Sequence, residues 1–497
     1  MGKEVTEGWV QAQGPLQRWL DHLVNSQLLW SAPLLTVLFA TVVRCIIALN
    51  PYSGYATPPM FGDYEAQRHW MEITQHLPTW QWYRYELNWW GLDYPPLTAF
   101  HSWLCGIIGS KIDASMFALD TSRGLESMSS KMFMRCTVLV SEAIIYIPAV
   151  LTYCLIVHGS QGFRKKHIAA VLILMQPGLL MIDHGHFQFN SVMLGLTLWA
   201  VNAFLTGHWV VGSIFFCLSL LFKQMALYYA PAVFGYLLGQ CLSDPNGWIL
   251  FVKLGVTVIL TFACLFSPWL SSLEDLQQVI HRIFPVARGL YEDKVANVWC
   301  TLNIFIKLRH MLSLTATVRL SLVVTLMAVI PITIHTMRSR SPQRFLYALV
   351  NSSLAFFLFS FQVHEKSILL PALPVTLLVL EEPLATHAFI NTAMFSMYPL
   401  LKREDLVLPY FVTLILWNWL MGDVRHESGS LARHAISGMH MVFVAWYVAD
   451  GFIAAPARYP DLYAVINAAL SCGIFGLLFL YYMYRSFNLE SQKLKVQ

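Results

Sequence analysis

Pro95-Pro96-Leu97-Thr98-Ala99-Phe100-His101-Ser102-Trp103-Leu104-Cys105-Gly106-Ile107-Ile108-Gly109-Ser110 decides how this chain is threaded. The run is apolar, and it suits either a short membrane span or a helix lying at an interface. As a span, it moves Arg164, Lys165 and Lys166 to the far side of the membrane. It also splits the charged loops further along between the two faces. As an interfacial or re-entrant helix, with Pro95 and Pro96 at its start, it keeps those loops together. The second reading is adopted. It leaves a first non-cytosolic loop of about residues 50–131.

The membrane itself is inferred from composition. Apolar residues make up 57% of the chain, charged residues 12%, and mean hydropathy is +0.54. A soluble globular chain carries roughly twice that charge. The apolar runs are near-continuous and do not alternate, which excludes a transmembrane barrel and predicts an all-α polytopic protein. A net charge of +4 gives no reason to expect nucleic acid. The 17 Trp and 21 Tyr suit interfacial belts. Residues 1–26 are polar and mixed, so the first span is expected to be a signal anchor. Of the nine cysteines only Cys105 and Cys300 fall in loops, and a disulfide between them is one possibility. The sequon Asn351-Ser352-Ser353 opens an apolar run, which argues against glycosylation there.

About fourteen spans are predicted, near 27–49, 132–157, 167–183, 190–206, 209–222, 225–242, 249–270, 316–336, 345–362, 367–381, 386–401, 406–422, 437–455 and 462–485. In blocks, these give a cytosolic tail at 1–26, the first transmembrane helix at 27–49 and a first luminal loop at 50–131. Spans two to seven then occupy 132–270, a second large luminal loop 271–315, spans eight to fourteen 316–485, and a cytosolic tail 486–497. With the N-terminus in the cytosol, short cytosolic loops hold Arg164, Lys165, Lys166, Arg338, Arg340, Arg344, Arg425 and Arg433. The short opposite loops hold Lys223, Lys366, Lys402, Arg403 and Arg458. The excess of cations inside supports this orientation.

Charge is concentrated on the luminal face. Phe61-Gly62-Asp63-Tyr64-Glu65-Ala66-Gln67-Arg68-His69-Trp70 carries two carboxylates, an arginine and a histidine. Ala66, Trp70, Ile73 and Leu77 recur at helical spacing, predicting a helix over 64–77 that lies on the membrane. Asp63 stands in the N-cap position. It serves there either as a cap or as a general base, and the residues leave both open. A helix dipole lowers such a carboxylate's pKa, yet an ionised base still accepts a proton late in a transition state. Asp93 and Tyr94 follow Trp89-Trp90. Aromatic faces and carboxylates suit a sugar, although an interfacial belt also accounts for the rings.

Asp183-His184-Gly185-His186-Phe187-Gln188-Phe189-Asn190 contains metal-ligand residue types. Its Asp-x-x-His spacing is too short and common to specify a metal, and a hydrogen-bonded polar turn is the simpler reading. Residues 282–294 mix Arg282, Arg288 and Lys294 with Glu292 and Asp293, which suits a solvated loop or a phosphate clamp. Val363-His364-Glu365-Lys366-Ser367 sets three ionisable groups at the lipid boundary, costly unless used or paired. A bare Glu365–Lys366 ion pair is the plain alternative, and Lys223 between two spans has the same standing. No P-loop or glycine-rich dinucleotide motif occurs, so a soluble nucleotide donor is not indicated. These features suggest an enzyme on a lipid-borne phosphate substrate. A transporter or flippase would show mid-span ionisable residues and repeated, interrupted halves. Here mid-span charges such as Glu142 and Lys253 are few.

Tyr52-Ser53-Gly54, residues 58–70, 90–97, 183–190, 284–300 and 361–370 together resemble the endoplasmic-reticulum dolichyl-phosphate-glucose-dependent α-1,3-glucosyltransferases. The resemblance covers roughly residues 30–410. The run 62–70, Lys223-Gln224-Met225 and 363–367 are similar to members adding the first glucose to a nine-mannose lipid-linked oligosaccharide, rather than the second. The resemblance implies a GT-C fold with the catalytic Asp63 on interfacial helices of the first luminal loop. It implies inverting transfer from dolichyl phosphate glucose, with Asp63 as base, and no metal or cofactor. Substrate contacts are expected from Glu65, Arg68, Asp93, Tyr94, His186, Glu292 and Glu365. Cations for the departing phosphate are expected among Lys223, Arg282, Arg288, Lys294, His364 and Lys366. The expected partners are the lipid-linked donor and acceptor, in the endoplasmic-reticulum membrane, with the site luminal and both termini cytosolic. The final Lys493-Leu494-Lys495-Val496-Gln497 is similar to a Lys-x-Lys-x-x retrieval signal, a solvated basic tail being the plain reading.

Overall fold

The computed structural model describes residues 14–284, 294–307, 311–423 and 430–489. Every regular element among them is helical. Backbone groups in lipid find no water to bond, so a chain of apolar runs satisfies them within helices. Each of the fourteen predicted spans falls on a helix, from Ser31–Ala48 to Leu462–Asn488. Among the described residues, 7 helical stretches are long and apolar enough to cross a membrane. Asn190–Leu205, Trp209–Phe222 and Val407–Leu420 are shorter apolar helices beside them. The chain is a polytopic membrane protein.

Burial separates the centre of the bundle from its edge. The stretch Phe163–Phe187 is 94% buried over its apolar window, and Gly247–Trp269 only 6%. Trp248, Phe251, Ile259 and Leu260 are exposed on the latter. Exposed apolar surface on this scale fits lipid contact.

Residues 95–110 fall within the helix Pro96–Ile112, with proline in its first turn. It packs along Asp63–His76. That partner is no surface helix, as residues 64–74 are all buried. Ala66, Trp70 and Ile73 face protein, in a small core shared with Trp82, Leu92 and Trp269. No disulfide joins Cys105 and Cys300. Asn351 is wholly buried.

Two expected substrate contacts, Glu65 and Arg68, pair with each other inside the first loop. Arg68 lies 2.6 Å from Glu65 and 2.8 Å from Glu72. Its Nη1 donates to the Met116 carbonyl at 3.1 Å and to Ser122 Oγ at 2.7 Å. Spacings of three and four residues put these side chains on one helical face, where they satisfy each other. Glu65 and Arg68 therefore brace the first loop from within.

Candidate active site

Two glycines set the start of the Asp63–His76 helix. Gly54 has φ +79, and a Cβ there would lie 1.9 Å from the Gly62 amide nitrogen. Only glycine permits both the backbone and the approach. Gly62 then occupies the cap position and Asp63 is the first helical residue. The Asp63 carboxylate caps nothing, which corrects the capping alternative. Three groups from elsewhere in the chain converge on Oδ2 instead. Lys366 Nζ donates at 2.5 Å, His186 Nε2 lies at 3.0 Å, and Gln188 Nε2 donates as well. Among the described residues nothing donates to Oδ1. The side chain stays 26% exposed and lines a cavity. Burial raises its pKa, but the Lys366 charge, followed by His186, holds it well below the usual carboxylate range. Asp63 is thus ionised, with one oxygen engaged and the other open.

The Glu365–Lys366 ion pair does not form. Lys366 turns to Asp63, and Glu365 lies 3.7 Å from Arg403.

His186 and Gln188 come from an irregular segment. After Pro177–Leu179 the helix widens to π geometry over Leu180–Phe187, a distortion frequent at functional sites. Phe187 ends it at φ +88. A bulky L-residue holds that conformation only where its surroundings enforce it. Gln188 is then extended and reaches Asp63. Three ties enforce the geometry. Asp183 accepts from the backbone N–H of Asn190 at 3.1 Å and of Ser191 at 2.6 Å, capping the next helix. His184 Nε2 lies 2.5 Å from Glu142, whose two oxygens accept from Arg44 at 2.7 Å each. Arg135 Nη2 donates to the Gly185 carbonyl at 2.8 Å, its guanidinium lying over the Tyr52 and Phe187 rings. Asp183, His184 and His186 therefore point to three different partners. His186 Nδ1 lies 2.7 Å from each oxygen of Glu404.

The cavity has a volume of about 920 Å³. Asp63, Gln188, Asn190, Lys223, His364 and Lys366 are among its polar lining residues. Lys223 is 4% exposed. Its Nζ donates to the amide oxygens of Gln188 at 2.9 Å and Asn190 at 2.7 Å, and lies 5.0 Å over the Tyr94 ring. These are neutral partners, so its charge remains for a ligand. Burial, then the Lys366 charge, pushes Lys223 down to about 8. The same two causes push His364 down to about 3. Burial thus works against the charge expected of His364.

The remaining candidates divide. Asp93 and Tyr94 line the cavity. Arg282 also lines it, but donates to the Gly91 carbonyl at 2.8 Å and the Leu92 carbonyl at 3.1 Å, bracing the loop beside Trp90. Lys294 does not line the cavity and pairs with Asp461. Glu365 lies beside the cavity without lining it. Arg288 and Glu292 lie outside the described residues. Apolar walls complete the space, among them Met60, Leu87, Met225, Leu227, Val318 and Phe356. An ionised carboxylate with a free oxygen can accept a proton from a hydroxyl. Buried lysines beside it can stabilise an anion that forms nearby. Gln188, Asn190 and Glu404 were not among the candidates. Gln188 and Asn190 stood in a quoted motif, whereas Glu404 carried no sequence signal beyond its place in a short turn expected to be luminal.

Comparison with known proteins bears on this site. The family model described as the ALG6, ALG8 glycosyltransferase family matches residues 40–481. The chain is 43% identical over 458 residues to a Schizosaccharomyces pombe protein named probable dolichyl pyrophosphate Man9GlcNAc2 alpha-1,3-glucosyltransferase, covering 90% of each chain. It is 41% identical to the Saccharomyces cerevisiae protein named dolichyl pyrophosphate Man9GlcNAc2 alpha-1,3-glucosyltransferase, over 94% of this chain and 93% of the relative. A Gallus gallus protein of the same name is 41% identical over 93% of this chain and 99% of its own length.

Proposed function

Because the chain belongs to the ALG6, ALG8 glycosyltransferase family, we propose that it moves one glucose from dolichyl phosphate β-glucose to dolichyl-diphosphate-linked Man9GlcNAc2. The acceptor is the terminal mannose, the new bond is α-1,3, and the anomeric configuration inverts. Asp63 Oδ1 takes the proton of the mannose 3-hydroxyl as that oxygen attacks the anomeric carbon. Dolichyl phosphate departs with the bonding electrons and needs no general acid. Lys223 faces the charge that develops on the phosphate. Once Asp63 is protonated, Lys366 loses its carboxylate partner and its charge also becomes available to the leaving group. Asp93 and Tyr94 suit contact with glucose, and the apolar walls suit the first isoprene units. No metal or cofactor enters this reading.

The observation that carries it is the shared cavity. An open, ionised carboxylate and a lysine with neutral partners line the same space as apolar walls. The reading extends to a GT-C bundle of about fourteen spans in the endoplasmic-reticulum membrane, with the site luminal and both termini cytosolic. The distribution of Lys and Arg between the short loops supports that orientation.

The lipid that accumulates in cells lacking the protein tests the assignment. Unglucosylated nine-mannose lipid is expected. A monoglucosylated lipid would assign the second glucose instead. Normal glucosylation with blocked lipid translocation would replace the enzyme by a flippase.

A further inference from the structure

We infer that Glu404 is a positioning residue for the proton-accepting carboxylate, acting through His186. The inference rests on the glucosyl-transfer reading above. Glu404 follows the Pro383–Arg403 helix and stands 218 positions from His186 in the chain. It lines no part of the cavity, so it touches no substrate there. Its side chain is 10% exposed and that of His186 2%.

The geometry is a clamp. Glu404 holds Nδ1 of the imidazole with both oxygens at 2.7 Å, and Nε2 faces Asp63 Oδ2 at 3.0 Å. A buried ring whose two nitrogens are engaged by carboxylates from separate elements has one orientation. That orientation keeps Oδ2 occupied and leaves Oδ1 for the incoming hydroxyl. Lys366 closes the same corner, its Nζ 3.0 Å from His186 Nε2 and 2.5 Å from Asp63.

The cations beside Glu404 in sequence are engaged elsewhere. Arg403 lies 3.7 Å from Glu365, and Lys402 donates to Asp450 at 2.6 Å. Arg135 spends Nη2 on backbone carbonyls, including Gly185 at 2.8 Å. Among the described residues, His186 is the side chain that the Glu404 carboxylate binds. A carboxylate that merely fastened its turn would have no need of the one histidine touching Asp63.

The test is a double-mutant cycle on the full chain in detergent, with both lipid substrates. Glu404→Ala and His186→Ala are each expected to lower kcat about tenfold or more, within the range of coupling between residues in contact. KM for donor and acceptor should stay within about twofold of wild type, because Glu404 touches neither. The double variant should be no slower than the slower single variant, since the two residues act as one unit. Glu404→Gln, whose amide oxygen still accepts from Nδ1, should recover most of the lost rate and guards against a folding defect in the alanine variant. Losses that multiply, Glu404→Ala within about twofold of wild-type kcat, or no recovery with glutamine would each overturn the positioning role. A wild-type chain that transfers no glucose overturns the transfer reading, and this inference with it.

Discussion

Asp63 and Glu65 stand two residues apart in the same charged run, and their surroundings give them opposite roles. Glu65 shares one helical face with Arg68 and Glu72 and is consumed by them. Asp63 begins the helix, has no partner on it, and is met by groups 123 to 303 positions away. Lys223 is also met from outside its own turn, by Gln188 and Asn190, 35 and 33 positions away. Its carboxamide partners leave the charge uncompensated, and burial lowers its pKa to about 8. If the protonated lysine stabilises the leaving phosphate, the rate should fall as pH rises through about 8. Asp63 lies far below that range, so it adds no limb near neutrality. In Lys223→Met the plateau should drop and the alkaline limb disappear. An unchanged limb in that variant would remove Lys223 from the phosphate site.

At this scale the residue types were legible and their partners were not. Spacings of three and four residues are compatible with the Glu65–Arg68 and Arg68–Glu72 pairs, yet Glu65 and Arg68 were both expected to contact substrate. Nothing local marks Arg282 as a brace for backbone carbonyls, or Glu404 as the holder of His186. Both depend on segments that only folding brings together.

At the scale of elements, the decisive piece is the π-helical segment Leu180–Phe187. It was read as a polar turn, because widening of a helix leaves no trace in hydrophobic periodicity. Its ties explain why Glu142, counted as an isolated mid-span charge, is tolerated. Glu142 is fully buried against Arg44 and His184. Removing it strands a buried guanidinium, at a cost of about 3–5 kcal/mol. Glu142→Ala should therefore lower the thermal unfolding midpoint in detergent by several degrees. It should also slow transfer, because the same segment carries His186 and leads directly into Gln188. An unchanged midpoint would mean that the segment is held by other contacts. Pro96–Ile112 belongs to this scale too. Its helical character was evident from sequence, and it packs along Asp63–His76.

At the scale of the molecule, the helices follow from the apolar runs, since lipid leaves the backbone no alternative. The cavity does not follow from them. Its walls come from the first loop, Gln188 and Asn190 just after the π-helical segment, the turn at Lys223, the Leu273–Ile283 helix, Val318 and Phe356 on two further helices, and the turn at His364. In the proposed reaction side chains and a phosphate leaving group carry all the chemistry. Activity of the purified chain should accordingly persist in excess EDTA. Loss of activity restored by a divalent cation would add a metal to the site.

The central claim is that Asp63 accepts the acceptor's proton. Its most direct test is Asp63→Asn, purified in detergent and assayed with dolichyl phosphate glucose and the nine-mannose lipid. In that variant kcat should fall about 10²–10⁴-fold, the usual scale of a lost general base, with donor binding retained. Turnover within a few-fold of wild type would contradict it.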